Sequence, residues 1–110
     1  MKKINLAITG CMGRMGQQIL KSAKFDKNFN IVVLTENKKT KKKINGIQIQ
    51  QNSLQVFRKA DLIIDFTIPR CSIQVLNIAL KLKKKIVIGT TGFTKKEENL
   101  IKKFSKKIPI

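Results

Sequence analysis

A glycine-rich turn joins an apolar run to a helical pattern near the N-terminus; it consists of Gly10, Cys11, Met12, Gly13, Arg14, Met15 and Gly16. In a strand–turn–helix context, Gly10 allows a tight turn, Gly13 lets a ligand approach the backbone, and Gly16 lets the helix pack on the sheet. Backbone N–H groups and the helix dipole at such a helix start hold phosphate groups. The turn therefore predicts a pyrophosphate-binding loop, and a tight turn without a ligand is the alternative.

An acidic residue supports the prediction of a pyrophosphate-binding loop. Glu36 ends the second apolar run, twenty residues after Gly16. In dinucleotide-binding domains a carboxylate at this offset accepts hydrogen bonds from the adenosine ribose. Arg14 offers a charged contact to phosphate or ribose. Because Met12 stands where the generic G-x-G-x-x-G pattern has its middle glycine, the loop has the more particular form G-x-x-G-R-M-G.

The elements that must position these residues follow from the hydrophobic periodicity. Short apolar runs predict strands at 4–9, 30–36, 47–50, 61–67 and 86–88. Helical spacing of apolar residues predicts helices at 14–25, 53–59, 69–82 and 94–107. Residues 37–46 are predicted to form a loop, and 108–110 the start of another strand. Met15, Ile19, Leu20 and Ala23 should form the buried face of the first helix. Strands alternating with helices predict an α/β fold, a doubly wound parallel sheet of the Rossmann type, over residues 1–110.

Four candidate binding positions directly follow predicted strands. They are Gly10, Glu36, Thr67 and Gly89. In doubly wound sheets, ligands bind at the carboxyl ends of the strands. We therefore expect these positions to converge on one edge of the sheet.

The composition argues against a protein that recognises nucleic acid. The formal net charge is +18, but only three of the 24 basic residues are arginine and aromatic residues make up 5%. Since the lysines spread over every polar stretch, a drift in composition explains the charge better than nucleic-acid recognition does, and no specific nucleic-acid binding is expected.

No apolar run reaches the roughly 18 residues of a membrane span, and the residues from Met1 onward do not resemble a signal peptide, so a cytoplasmic protein is expected.

The two cysteines do not indicate a disulfide framework or a metal site. Cys11 and Cys71 are far apart in the sequence, and the chain contains no histidine. We expect two free thiols and no metal.

Three motifs together resemble the 4-hydroxy-tetrahydrodipicolinate reductase family, also called dihydrodipicolinate reductase. The G-x-x-G-R-M-G loop is similar to the cofactor loop of that family, Asp65 to Pro69 to its D-F-T-x-P strand end, and Gly89 to Phe93 to its G-T-T-G-F loop. The motifs occur in the family's order and spacing, so the resemblance covers essentially all 110 residues.

The resemblance implies a nicotinamide cofactor and the residues that bind it. Gly10 to Met15 would hold the pyrophosphate and ribose, Glu36 the adenosine ribose, and Gly89, Thr90 and Thr91 would lie along the nicotinamide. Where the family often has an arginine for the 2′-phosphate of NADPH, this chain has Asn37, followed by Lys38 and Lys39. The choice between NADH and NADPH therefore stays open.

The resemblance also implies what lies outside this stretch of sequence. The family places its small-molecule substrate site and its catalytic histidine and lysine motif in a second α+β domain beyond residue 110, so no catalytic residue is assigned here. The intact protein would be a homotetramer. The alternatives are another Rossmann-type dehydrogenase, or a free-standing nucleotide- or nucleic-acid-binding module.

Overall fold

The computed structural model describes residues 3–110; Met1 and Lys2, the first residues of the predicted domain, lie outside this range. Strands and helices alternate through the described chain. Their bounds are β1 Ile4–Thr9, α1 Arg14–Lys24, β2 Phe29–Thr35, β3 Lys43–Ile44, β4 Ile47–Gln50, α2 Leu54–Phe57, β5 Leu62–Asp65, α3 Pro69–Leu82, β6 Lys85–Ile88 and α4 Lys95–Phe104.

The strands form one sheet in the order β3-β4-β2-β1-β5-β6. All neighbouring strands pair in parallel except β3 and β4. Since the strand order runs outward from β1 in both directions, with helices on both faces, the predicted doubly wound parallel sheet is confirmed.

Both faces of the sheet are covered by apolar side chains from helices. On one face Leu6 and Ile8 pack with Leu20 of α1, and on the other Ala7 packs with residues of α2 and α3 such as Phe57 and Val75. Successive residues of a strand point to opposite faces. β1 is therefore buried on both faces from Leu6 to Thr9, and because it lies between β2 and β5, its carboxyl end is near the centre of the sheet edge.

Capping residues stand at or near the starts of the helices predicted from 53, 69 and 94. The Ser53 side chain accepts a hydrogen bond from the backbone of Val56, Pro69 lies in the first turn of α3, and Thr94 forms a capping box with Glu97. Each device satisfies or removes an N–H group that a helix start leaves without an intrahelical partner.

The prediction of a loop at 37–46 is wrong for Lys43 and Ile44, which form the short strand β3. Lys43–Ile44 pairs antiparallel with β4 through a two-residue turn at Asn45 and Gly46, whose φ angles are 52° and 79°. Asn-Gly is the preferred pair for such a hairpin turn because both positions need positive φ. The signal for this hairpin was therefore present in the sequence.

Three further predictions need correction. Met15 is 50% exposed, so it does not belong to the buried face of α1. β6, expected from its apolar residues to be a core strand, is the edge strand of the sheet: its Ile86 is buried in the core, but its Val87 is 48% exposed. α4 ends at Phe104, and residues 108–110 form no strand, although the Ile86 N–H donates to the Pro109 carbonyl at 3.1 Å.

Candidate functional site

The glycine-rich turn leaves β1 through a backbone conformation that requires glycine. Gly10 has φ +71°, and its N–H donates to the Thr35 carbonyl at 3.0 Å. A Cβ atom at this position would lie 2.5 Å from the carbonyl oxygen of Phe66. Gly10 is therefore fixed by its φ angle and by the close approach of the segment that follows β5.

The start of α1 carries unpaired donors. Gly13 is the N-cap residue and supplies no side-chain cap, and no acidic residue lies in the first turn. Within residues 3–110, the backbone N–H groups of Arg14, Met15 and Gly16 have no hydrogen-bond acceptor. Such N–H groups, together with the positive end of the helix dipole, favour an anion.

Gly16 brings the helix start close to the turn. A Cβ atom at Gly16 would lie 2.0 Å from the carbonyl oxygen of Gly10, whereas one at Gly13 would lie 3.3 Å from the same oxygen. The two glycines therefore differ: Gly16 is required by the packing within the turn, and Gly13 is required much less by the fold itself.

Glu36 lies directly beside this turn. Its Oε2 atom accepts a hydrogen bond from the backbone N–H of Met12 at 2.7 Å, and its own N–H donates to the Gln50 carbonyl at 3.0 Å. The structure thus brings together two residues that the sequence analysis assigned to one site. Asn37, Lys38 and Lys39, which follow, are all exposed.

The side chain of Cys11 points away from this surface. It is fully buried in the cluster that contains Leu6, Leu20 and Leu34. Burial, and secondly the charge of Glu36, raise the pKa of the Cys11 thiol to about 11. Cys11 is therefore a neutral thiol at neutral pH, and only its backbone is available near the turn; both cysteines are free.

The loop after β6 packs against the end of β5. The Gly89 N–H donates to the Asp65 carbonyl at 2.8 Å, and a Cβ atom at Gly89 would lie 1.9 Å from the Phe66 ring. The Thr90 hydroxyl accepts a hydrogen bond from the Thr67 N–H at 2.8 Å, and Thr91 is exposed. The second and third motifs are thus in direct contact, at the same sheet edge as the glycine-rich turn.

A set of buried polar side chains lies at this edge and was not predicted from the sequence. Asp65, at the end of β5, accepts hydrogen bonds from the hydroxyls of Thr9, Thr67, Ser72 and Thr90. Asp65 belongs to the second motif and Thr90 to the third, but no periodicity places Thr9 or Ser72 beside them. Among residues 3–110, no group of three or more histidine, cysteine or acidic side chains could hold a metal ion.

The comparisons with known proteins decide the family. A family model described as "Dihydrodipicolinate reductase, N-terminus" matches residues 4–110. The chain belongs to the dihydrodipicolinate reductase family. It is 64% identical to the 4-hydroxy-tetrahydrodipicolinate reductase of Pelagibacter ubique over 110 residues, which is 100% of this chain and 43% of that protein.

Solved structures agree on the fold. A dihydrodipicolinate reductase from Paenisporosarcina sp. TG-14, solved with dipicolinate bound, matches 94% of this chain and 43% of its own with a TM-score of 0.77 at 22% identity. A D-galactose-1-dehydrogenase from Rhizobium etli matches 97% of this chain and 35% of its own with a TM-score of 0.78 at 21% identity. Since both structures fit equally well, the fold alone does not distinguish these activities.

Two further observations concern the length of the chain relative to its family and the character of its helices. The chain spans less than half the length of the curated reductases it matches. Within the described part of the chain, no helix is both long and apolar enough to cross a membrane.

Proposed function

We propose that this chain binds the nicotinamide cofactor of a 4-hydroxy-tetrahydrodipicolinate reductase. The observation that carries the proposal is the start of α1, where the N–H groups of Arg14, Met15 and Gly16 are unpaired and Gly13 leaves the helix without a side-chain cap. These donors fit a pyrophosphate, and the Glu36 carboxylate beside them fits the hydroxyls of a ribose.

The reaction of the whole protein is the reduction that the relatives' name describes. When bound, the cofactor would supply the hydride that, together with a proton and with loss of the 4-hydroxyl group as water, reduces 4-hydroxy-tetrahydrodipicolinate to tetrahydrodipicolinate in lysine and diaminopimelate biosynthesis. The residues described here bind and orient: the α1 start and Glu36 hold the adenosine half, and Gly89, Thr90 and Thr91 lie along the nicotinamide. No residue in this chain is proposed to be catalytic, and the substrate is bound by other parts of the protein.

Both NADH and NADPH are proposed as cofactors. The Glu36 carboxylate accepts hydrogen bonds from ribose hydroxyls and repels a 2′-phosphate, which favours NADH. Exposed Lys38 and Lys39 attract that phosphate, although less specifically than a bidentate arginine does. Each effect amounts to about 1 kcal/mol at a solvated site, so we propose that they nearly balance.

The remaining expectations extend to the whole protein. Two buried free cysteines fit a reducing compartment, which supports a cytoplasmic location. The family resemblance supports a homotetramer, which analytical ultracentrifugation of the intact protein tests. The dispersed lysines and few arginines support the absence of specific nucleic-acid binding.

Calorimetric titration of the chain with NADH and with ADP-ribose tests the binding proposal. Both ligands should bind, and Arg14→Ala should weaken both because Arg14 lies at the anion-binding helix start. Arg58→Ala removes the same charge from the exposed end of α2 and serves as the matched control. Equal effects of the two substitutions, or no binding by the unmodified chain, would contradict the assignment of this site.

The reductase activity is tested separately on the longest protein that the gene encodes. Absorbance of the reduced cofactor should fall when 4-hydroxy-tetrahydrodipicolinate is supplied. Reduction of the oxidised cofactor by a sugar, or oxidation of the reduced cofactor by an amino-acid aldehyde, with no reaction of 4-hydroxy-tetrahydrodipicolinate, would instead support a different dehydrogenase of the same fold.

A further inference from the structure

The carboxylate of Asp65 has no exposed surface and accepts four hydrogen bonds from hydroxyl groups. Thr9 and Thr67 donate to Oδ1, and Ser72 and Thr90 donate to Oδ2; the Thr67 and Thr90 distances are 3.0 and 3.2 Å. A carboxylate has about four acceptor sites, so these bonds use its whole capacity. Asp65 therefore has neither the access nor the free acceptor to contact a ligand itself.

The four hydroxyls come from four different parts of the fold. Thr9 ends β1, Thr67 follows β5, Ser72 lies in the first turns of α3, and Thr90 lies in the loop after β6. Asp65 thereby ties together the segments that meet at the carboxyl edge of the sheet. Buried polar groups that are fully satisfied in this way hold a single arrangement of the segments that carry them.

The Thr90 hydroxyl makes three contacts in this cluster. Besides donating to Asp65, it accepts from the Thr67 N–H at 2.8 Å and lies 2.7 Å from the Ser72 hydroxyl. The side chain of Thr90 is thus occupied within the protein. The backbone N–H groups of Thr90 and Thr91, in contrast, donate no hydrogen bond within residues 3–110.

From this arrangement we infer that Asp65 is a positioning residue for the nicotinamide half of the cofactor, and that it acts through Thr90. This rests on the proposed cofactor binding. The cluster holds the loop at 89–91 at a fixed place relative to Thr9, which directly precedes the pyrophosphate loop. The free backbone donors of Thr90 and Thr91 are then ready for a carboxamide oxygen, because the loop need not be ordered when the ligand binds.

The experiment compares two ligands on one set of variants. ADP-ribose contains the adenosine and pyrophosphate but no nicotinamide, so the ratio of NADH affinity to ADP-ribose affinity isolates the nicotinamide contribution. Thr90→Val keeps the shape of the side chain and removes the hydroxyl, and Thr90→Ser restores it. Thr94→Val removes the N-cap of α4, four residues away and outside the cluster, and is the matched control for lost stability.

Thr90→Val should lower NADH affinity about tenfold and leave ADP-ribose affinity within about twofold of the unmodified chain. Thr90→Ser should recover most of the ratio, and Thr94→Val should lower the melting temperature without changing the ratio. Loss of both ligands in equal measure, or no loss at all, would overturn the inference. So would an unmodified chain that binds NADH no more tightly than ADP-ribose, whereas failure to bind either ligand would overturn the proposed cofactor site itself.

Discussion

The Glu36 Oε2 atom lies 2.7 Å from the backbone nitrogen of Met12 and accepts its hydrogen bond across 24 positions of sequence. This bond fixes the end of β2 against the glycine-rich turn before any ligand is present. Within residues 3–110 the second carboxylate oxygen, Oε1, takes part in no hydrogen bond. The proposed contact of a ribose hydroxyl with Glu36 would therefore not require the hydrogen bond to Met12 to break.

Substitution of Gly13 separates ligand binding from folding. Gly13→Val should lower NADH affinity by at least about tenfold, since its side chain blocks the approach of a pyrophosphate to the backbone. The melting temperature should fall less than after substitution of Gly16, because Gly13 has φ −71° and a Cβ atom there meets only the Gly10 carbonyl oxygen, in a tight contact at 3.3 Å. Calorimetric titration and thermal unfolding measure the two effects.

Gly16→Ala is the contrasting variant. Its Cβ atom would lie 2.0 Å from the Gly10 carbonyl oxygen, so the turn itself must shift. We expect a clear drop in melting temperature, in addition to weaker binding. Unchanged NADH affinity in Gly13→Val would show that this turn does not hold the pyrophosphate.

The buried thiol of Cys11 makes stability depend on alkaline pH. Burial, and then the Glu36 charge, raise the pKa of Cys11 from 9.0 to about 11. Below pH 9 the thiol is protonated in both the folded and the unfolded chain. Between pH 9 and 11 only the unfolded chain releases the proton, so the free energy of unfolding should fall by up to about 3 kcal/mol as the pH rises.

Urea unfolding of the chain and of Cys11→Ala across this range measures the contribution. Every other ionisable group is common to both proteins, so its effect cancels in the comparison. The decline in unfolding free energy should therefore be less steep in Cys11→Ala. Parallel pH profiles would mean that the thiol ionises equally readily in the folded and unfolded chain.

Much of the fold followed from local signals in the sequence. Largely apolar runs of three to seven residues predicted the strands. Helical spacing predicted helices from 53 and 94, where the caps Ser53 and Thr94 stand, since these signals depend on chemistry within a few residues. The convergence of Gly10, Glu36, Thr67 and Gly89 at one edge followed from the parallel sheet alone. The hairpin at Asn45 and Gly46 could also have been found, because Asn-Gly is a local turn signal.

Features that depend on tertiary packing could not be predicted. Met15 has the helical spacing of a buried residue, yet it lies half exposed beside the turn. The hydrogen bonds of Thr9 and Ser72 to Asp65 join residues of different elements, 56 and 7 positions apart. Periodicity reports which face a residue occupies, but not which side chain of another element it meets.

The net charge of +18 should produce only weak, nonspecific attraction to nucleic acid. Because binding through phosphate charges weakens as salt rises, we expect affinity for duplex DNA to be nearly lost by about 0.2 M salt, with no preference among sequences. Fluorescence anisotropy with several unrelated duplexes, at two or more salt concentrations, measures this. Salt-resistant binding to one duplex would instead indicate a dedicated nucleic-acid surface.

Cofactor choice depends on the balance between Glu36 and the lysines that follow it. We expect NADH and NADPH affinities within roughly tenfold of one another, about 1.4 kcal/mol. Glu36→Gln should shift the balance toward NADPH, because it removes the charge that repels a 2′-phosphate while its amide oxygen can still accept the Met12 N–H. Replacing Lys38 and Lys39 together with glutamine should shift the balance toward NADH, and the same change at Lys106 and Lys107, exposed beyond α4, is the charge-matched control. Titrations of both cofactors at one ionic strength give the ratios, and an unmodified chain that prefers either cofactor by more than about a hundredfold would show that one group dominates.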